Sequence, residues 1–176
     1  MTSVRRSHAW LVAVFLALVL QGCGFRLQGA GTLPDDGRRV FVATSDEVTP
    51  FAVELRRAIE RSGGEVVRSS RAAQTVVRIQ RDQSGRRVLS VSSRNTPQEF
   101  EIFYAVEYTV DRDGREVIEL QPLELIRNLS FEETQLLAKD REEASLRDAM
   151  ARDLAILVVR RLESLPAAQA AAGAPR

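Results

Sequence analysis

Cysteine, histidine and tryptophan each occur once in the 176 residues, as Cys23, His8 and Trp10. A single cysteine cannot close a disulfide within the chain. His8 and Trp10 both precede Cys23, so a chain that starts at Cys23 contains no histidine, no tryptophan and no second thiol. A Ser-His-Asp triad, a Cys-His pair and the common histidine or cysteine sites for zinc are excluded with them. Catalysis by carboxylates alone needs two acids, one of them in an apolar setting that raises its pKa. The acidic pairs here stand in other settings: Asp111 and Asp113 belong to a turn with Gly114, while Glu132-Glu133 and Glu142-Glu143 sit near helix starts. Charges at such places are ordinarily solvated and structural. The reading is therefore not an enzyme, with no metal and no cofactor.

An excess of one charge is also missing. The 25 basic residues nearly balance 24 acidic ones, and without residues 1–22, which hold two arginines and no acid, the formal charge is −1. No nucleic-acid footprint follows. The apolar run Ala9 to Leu20 falls short of the roughly 20 residues that a membrane helix requires, and Gln21, Gly22, Arg26 and Gln28 follow it closely. A permanent transmembrane anchor is excluded.

What is present in that region has a different logic. Arg5 and Arg6 precede the apolar run, and Leu20-Gln21-Gly22-Cys23 closes it with a small residue before cysteine. This is the pattern of a bacterial lipoprotein signal ending in a lipobox. Cleavage would leave Cys23 first, with S-diacylglycerol and an N-acyl chain such as palmitate attached. One acyl chain binds a membrane only marginally, whereas three anchor firmly. Gly24, where an aspartate would favour the inner membrane, directs the expectation to the periplasmic face of the outer membrane.

The segment 23–37 reads as a lipidated tether rich in glycine and turn residues, 38–165 as a single domain, and 166–176 as a disordered Ala-rich tail. Arg39 to Ala43 is β-prone, and Thr49-Pro50 predicts a helix start, with Gly63-Gly64 as its stop near Ser62. Phe51, Leu55, Ala58, Ile59 and Ser62 line one face of that helix. A short strand at Glu65 to Arg68 completes a β-α-β unit with parallel strands and a right-handed crossover. Thr75 to Gln80 and Arg87 to Ser93 form either a hairpin or one long strand with a bulge.

Phe100 to Val110 alternates strictly, with an apolar face of Phe100, Ile102, Tyr104, Val106, Tyr108 and Val110. Asp111 to Gly114 turns into a strand from Glu116 to about Leu129, where Pro122 argues for a sheet edge or a bulge. A helix from about Arg141 to Leu165, with Asp140 and Glu143 at capping-box spacing, presents Leu146, Met150, Leu154, Leu157, Val158, Leu162 and Leu165 to the core. The sum is an α/β (α+β) two-layer sandwich, a mixed four- to five-stranded sheet with two helices packed on one face.

Cys23-Gly24-Phe25-Arg26-Leu27, the strand-helix-strand opening, Arg94-Asn95 before Glu99-Phe100, and Leu137-Ala138-Lys139-Asp140 before an acidic helix start resemble the LptE family of lipopolysaccharide-assembly lipoproteins. The resemblance covers Cys23 to about Leu165. It implies a non-enzymatic plug and assembly partner of the outer-membrane β-barrel LptD that also binds lipopolysaccharide. The two basic positions it assigns to that ligand fall on Arg94 and Lys139. Lys139 draws attention independently, because it is the one basic residue of the 25 that is not arginine. An ammonium is a compact point charge suited to phosphate. On the residues alone, Arg94 is an ordinary exposed turn residue, and Lys139 a solvated one placed in a loop. Arg86, Arg87 and Arg127 are expected to extend the same patch. A lipid-anchored adaptor of another envelope machine, for barrel assembly or the cell wall, is the alternative that such a small sandwich leaves open.

Overall fold

A computed structural model describes residues 32–91, 93, 97–130 and 136–166. The signal segment, Cys23, Arg94 and the tail lie outside them. Strands β1 (Arg39–Ala43), β2 (Glu65–Val66), β3 (Thr75–Val91), β4 (Pro97–Arg112) and β5 (Arg115–Ser130) join in one sheet of order β2-β1-β3-β4-β5. The β1–β2 and β1–β3 pairs are parallel; β3–β4 and β4–β5 are antiparallel. Helices α1 (Pro50–Arg61) and α2 (Leu136–Glu163) pack against each other, and their buried residues join the core with one sheet face. The mixed α+β sandwich is as the sequence predicts.

Local chemistry explains the boundaries of α1. Thr49 accepts from the Ala52 amide at 3.2 Å, and Pro50 occupies the first helical position, where no amide hydrogen is needed. At the other end Gly63 adopts φ +75, which lets its amide reach Glu60 and the Gly64 amide reach Ile59. These two bonds form a Schellman stop. Gly64 has a second role, since a Cβ there would lie 2.7 Å from both Leu33 and Ile59. Leu33, 2 % exposed, is seated in that gap, and its amide donates to the Ser62 carbonyl at 3.1 Å.

The alternation of β4 holds throughout. Phe100, Ile102, Tyr104, Val106, Tyr108 and Val110 are all buried under the helices. Residues 75–91 form one strand, and its first register shift falls between Ile79 and Arg81, earlier than the Gln83 to Gly85 stretch. Asp113 and Gly114, both with positive φ, make the β4–β5 turn. Pro122 lies in β5, an edge strand as its missing amide hydrogen suggests.

Helix α2 differs from expectation at both ends of its face. It starts at Leu136, so Asp140 and Glu143 are helix-interior residues and not a capping box. Its buried apolar residues among those described are Met150, Ala151, Leu154, Ala155, Val158, Val159 and Leu162, whereas Leu157 is 41 % exposed and Leu146 only partly buried. At 100° per residue the buried set is centred on Ala151 and Val158, which turns positions 146 and 157 aside. Small alanines on both helices, Ala52 and Ala58 with Ala151 and Ala155, decide that rotation by lying at the buried face.

Candidate functional site

The register separates two halves of the long strands. β1 pairs only with Thr75 to Arg78, so beyond that point β3 has no described neighbour on that side. There β3, β4 and β5 continue as a three-stranded meander covered on one face by α2. The described part of this meander ends where Val91 pairs with Pro97. α2 runs along it from this far end: Glu143 meets Arg86 on β3, while Pro166, just past the helix, meets Arg112 at the opposite end.

On the helix side of the meander, Arg86, Ile102 and Arg127 stand in one cross-strand row. Arg86 donates to Glu143 at 3.3 Å and lies over the Phe100 ring, 5.2 Å from its centre. Glu143 is buried, and it also accepts from Arg147 one helical turn on. Arg127 lies 3.8 Å from Asp153. A buried carboxylate is thus shared by two guanidiniums, an arrangement that compensates its desolvation. The Arg147 Nε is also buried and has no hydrogen-bond partner among the described residues.

The other sheet face has its own pattern. Arg78 pairs with Asp111 at 2.9 Å, Arg81 with Glu107 at 2.9 Å, and Arg87 with Glu101 at 2.8 Å and Glu124 at 3.5 Å. Cationic β3 therefore faces anionic β4 along the ladder, which favours this register. Arg87 also stacks on Phe103, 4.2 Å from the ring centre. The ring reaches over β3 because the facing residue is Gly85, where a Cβ would lie 2.8 Å from it. Of the three arginines expected to act together, Arg86 and Arg127 share the helix-side face and Arg87 is on the opposite one. Strand alternation separates Arg86 from Arg87.

Arg94 lies outside the described residues, in the connection between Val91 and Pro97. The backbone of Lys139 lies in α2, one turn before Glu143 toward the far end, and not in a loop; its side chain is outside the description. The elements flanking Arg94 and carrying Lys139 thus converge on one end of the domain. The Glu143 bridge between Arg86 and Arg147 was missed from sequence because Glu143 read as a cap; its i,i+4 spacing to Arg147 was the available signal.

A second polar cluster fixes the helix to the sheet. After the β3 bulge Asp82 points inward and accepts from Thr49 at 2.5 Å. The Tyr104 hydroxyl accepts from the Phe51 amide at 3.2 Å. Burial, and then the nearby Asp82 carboxylate with its hydrogen bond, push the Tyr104 hydroxyl well above its ordinary pKa. Among the described residues no group of three or more histidine, cysteine or acidic side chains could hold a metal ion.

A two-layer α+β sandwich of this topology is shared with solved structures of bacterial lipoproteins. Its fold matches a solution structure of lipoprotein B from Nitrosomonas europaea, with 28 % identity, TM-score 0.67, and coverage of 80 % of this chain and 91 % of that one. It also matches rare lipoprotein B from Shewanella oneidensis, at 24 % identity and TM-score 0.63, over 72 % of this chain and 94 % of that one. A minor lipoprotein from Acinetobacter baumannii shares the fold at 16 % identity and TM-score 0.60, over 73 % and 92 % of the two chains. No curated protein sequence matches. The model of the LptE family, described as lipopolysaccharide-assembly, matches residues 38–162. The chain belongs to the LptE family.

Proposed function

We propose that this protein is an outer-membrane lipoprotein, anchored through lipidated Cys23 on the periplasmic face, that acts as plug and assembly partner of an LptD-type β-barrel. It binds lipopolysaccharide as that lipid is delivered to the outer leaflet, and it catalyses no reaction. The family match over residues 38–162 carries this reading. The lipobox supports it by supplying an address and an anchor.

The geometry favours a binding role on physical grounds. Cations on the helix-side row lie beside apolar side chains, which suits a ligand with phosphates at one end and hydrocarbon at the other. Lys139 and Arg94 are the proposed ligand-binding residues, because the elements around them converge on that tip. Purification of the full chain from outer membranes in mild detergent, with mass spectrometry of what accompanies it, is the decisive test. A large β-barrel protein should copurify in near-equal amount. A different envelope machine as the repeated partner would replace this reading with that of an adaptor.

A further inference from the structure

On the open sheet face Arg78, Arg81 and Arg87 each answer an acid across the ladder, but on the helices three arginines share one carboxylate. Glu54, whose side chain is 12 % exposed, accepts from Arg57 at 2.8 Å and lies 3.7 Å from both Arg61 and Arg152. Arg57 and Arg61 follow it on α1, and Arg152 reaches across from α2. Together with Glu60 these residues line a solvent-open groove of about 550 Å³. Three arginines against two acids leave it one positive charge in excess. The arginine side chains are 64, 57 and 50 % exposed, so an anion can approach them from water.

The groove lies at the end of the domain opposite the meander tip, where the tether arrives. Arg61 precedes Ser62, whose carbonyl accepts the Leu33 amide at 3.1 Å, and Leu33 is ten residues from Cys23. A triacylated Cys23 is held in a membrane. So short a connection keeps the groove within reach of the headgroups. From Cys23 onward the formal charge is −1, so the protein as a whole is not drawn to an anionic surface. Attraction is confined to a local excess of cations, and screening limits it to groups within roughly 8 Å of the membrane.

We infer that Arg57, Arg61 and Arg152 dock the domain on the phosphates of anionic phospholipids in the membrane that holds Cys23. Guanidinium forks match phosphate oxygens in shape and charge. The inference rests on the lipid-anchor reading and deepens it: the acyl chains set the place of the domain, and the groove sets its orientation, with the meander tip turned away from the headgroups. Glu54 is a positioning residue that gathers the three guanidiniums.

The test uses the lipidated full chain in vesicles of phosphatidylethanolamine and phosphatidylglycerol that carry a nitroxide on a fraction of their headgroups. Lipidation consumes the single native cysteine, so Ser164→Cys beside the groove end and Ser93→Cys at the tip each accept one fluorophore. The label at 164 should be quenched and the label at 93 should not. In the Arg57→Gln, Arg61→Gln, Arg152→Gln variant the ratio of docked to undocked domains should fall at least about five-fold, the effect of one arginine near an anionic surface. Arg81→Gln should change nothing. Wild-type protein in phosphatidylcholine vesicles, or in 1 M salt, should behave as the triple variant does, which keeps the test independent of whether that variant folds. Equal quenching at both labels, or quenching at 164 that ignores lipid charge, overturns the docking. So does loss of quenching with inorganic phosphate too dilute to screen, because the groove would then serve a soluble anion. If the protein washes off vesicles at high salt, the anchor reading fails instead, a result distinct from a protein that stays bound without orientation.

Discussion

Arg112 donates to the carbonyl of Pro166 at 3.0 Å, tying the last strand-side residue before the β4–β5 turn to the chain just past α2. It is 5 % exposed, and its other face rests on Gly37, where a Cβ would lie 2.8 Å from Nη2. Gly37→Ala should therefore push the guanidinium away from Pro166. A destabilisation of about 1–2 kcal/mol is expected, from overpacking and one lost hydrogen bond. Chemical denaturation of the two proteins checks it, and an unchanged midpoint would show that Arg112 yields freely.

Asp82 supports a helix start from a distant strand. Asp82→Ala removes the acceptor of Thr49 and leaves Tyr104 buried without its carboxylate partner, so a loss of about 2–3 kcal/mol is expected. Thr49→Ala should cost about 1 kcal/mol as an ordinary cap deletion. The double variant should fall short of the sum of the singles, because both act through one bond. Strict additivity in the denaturation midpoints would count against a shared network.

Alkali should unfold the protein through its buried phenols. Tyr104 and Tyr108 both ionise above the ordinary value of 10.0 in the fold, chiefly through burial. The unfolded chain thus loses these protons first as pH rises. Stability is fully present below pH 10 and declines above it, as the unfolded state binds fewer protons than the native one. Tyr104→Phe should flatten that decline even though it lowers stability at neutral pH. Tyrosinate absorbance that tracks circular dichroism on base titration would agree; ionisation of both phenols in a folded protein would not.

Arg94→Asp combined with Lys139→Asp should lower lipopolysaccharide binding by about ten-fold or more, since each change replaces attraction for a phosphate with repulsion. The melting temperature should hardly move, which separates lost binding from a lost fold. Binding by the double variant at wild-type strength would remove both residues from the ligand site.

Much of this architecture was legible in the sequence because its signals are local. Thr49-Pro50 and Gly63-Gly64 bound α1 through backbone chemistry that needs no tertiary partner, and the β4 alternation from Phe100 to Val110 specifies a buried face by period alone. The start of α2 was misplaced for the converse reason. Asp140 and Glu143 carry a cap signature, but Glu143 is drawn to Arg86, 57 positions earlier, a contact that no local pattern announces. The rotation of α2 follows from Ala151 and Ala155, which a stripe drawn through its leucines passes by. At the site, residue types were readable and their faces were not. Arg86, Arg87 and Arg127 looked equivalent until the pairing Arg86↔Ile102↔Arg127 placed Arg87 on the other side.

Leu33 locks into the gap beside Gly64, so the folded body begins only ten residues after Cys23. Fully extended, that leash spans about 35 Å at most. Under the lipid anchoring proposed above, that length is the upper limit on the distance between anchor and Leu33, and so short a tether raises the effective concentration of any membrane partner to roughly the millimolar range. Tethering of this kind multiplies the occupancy of a contact surface without adding a single contact to it.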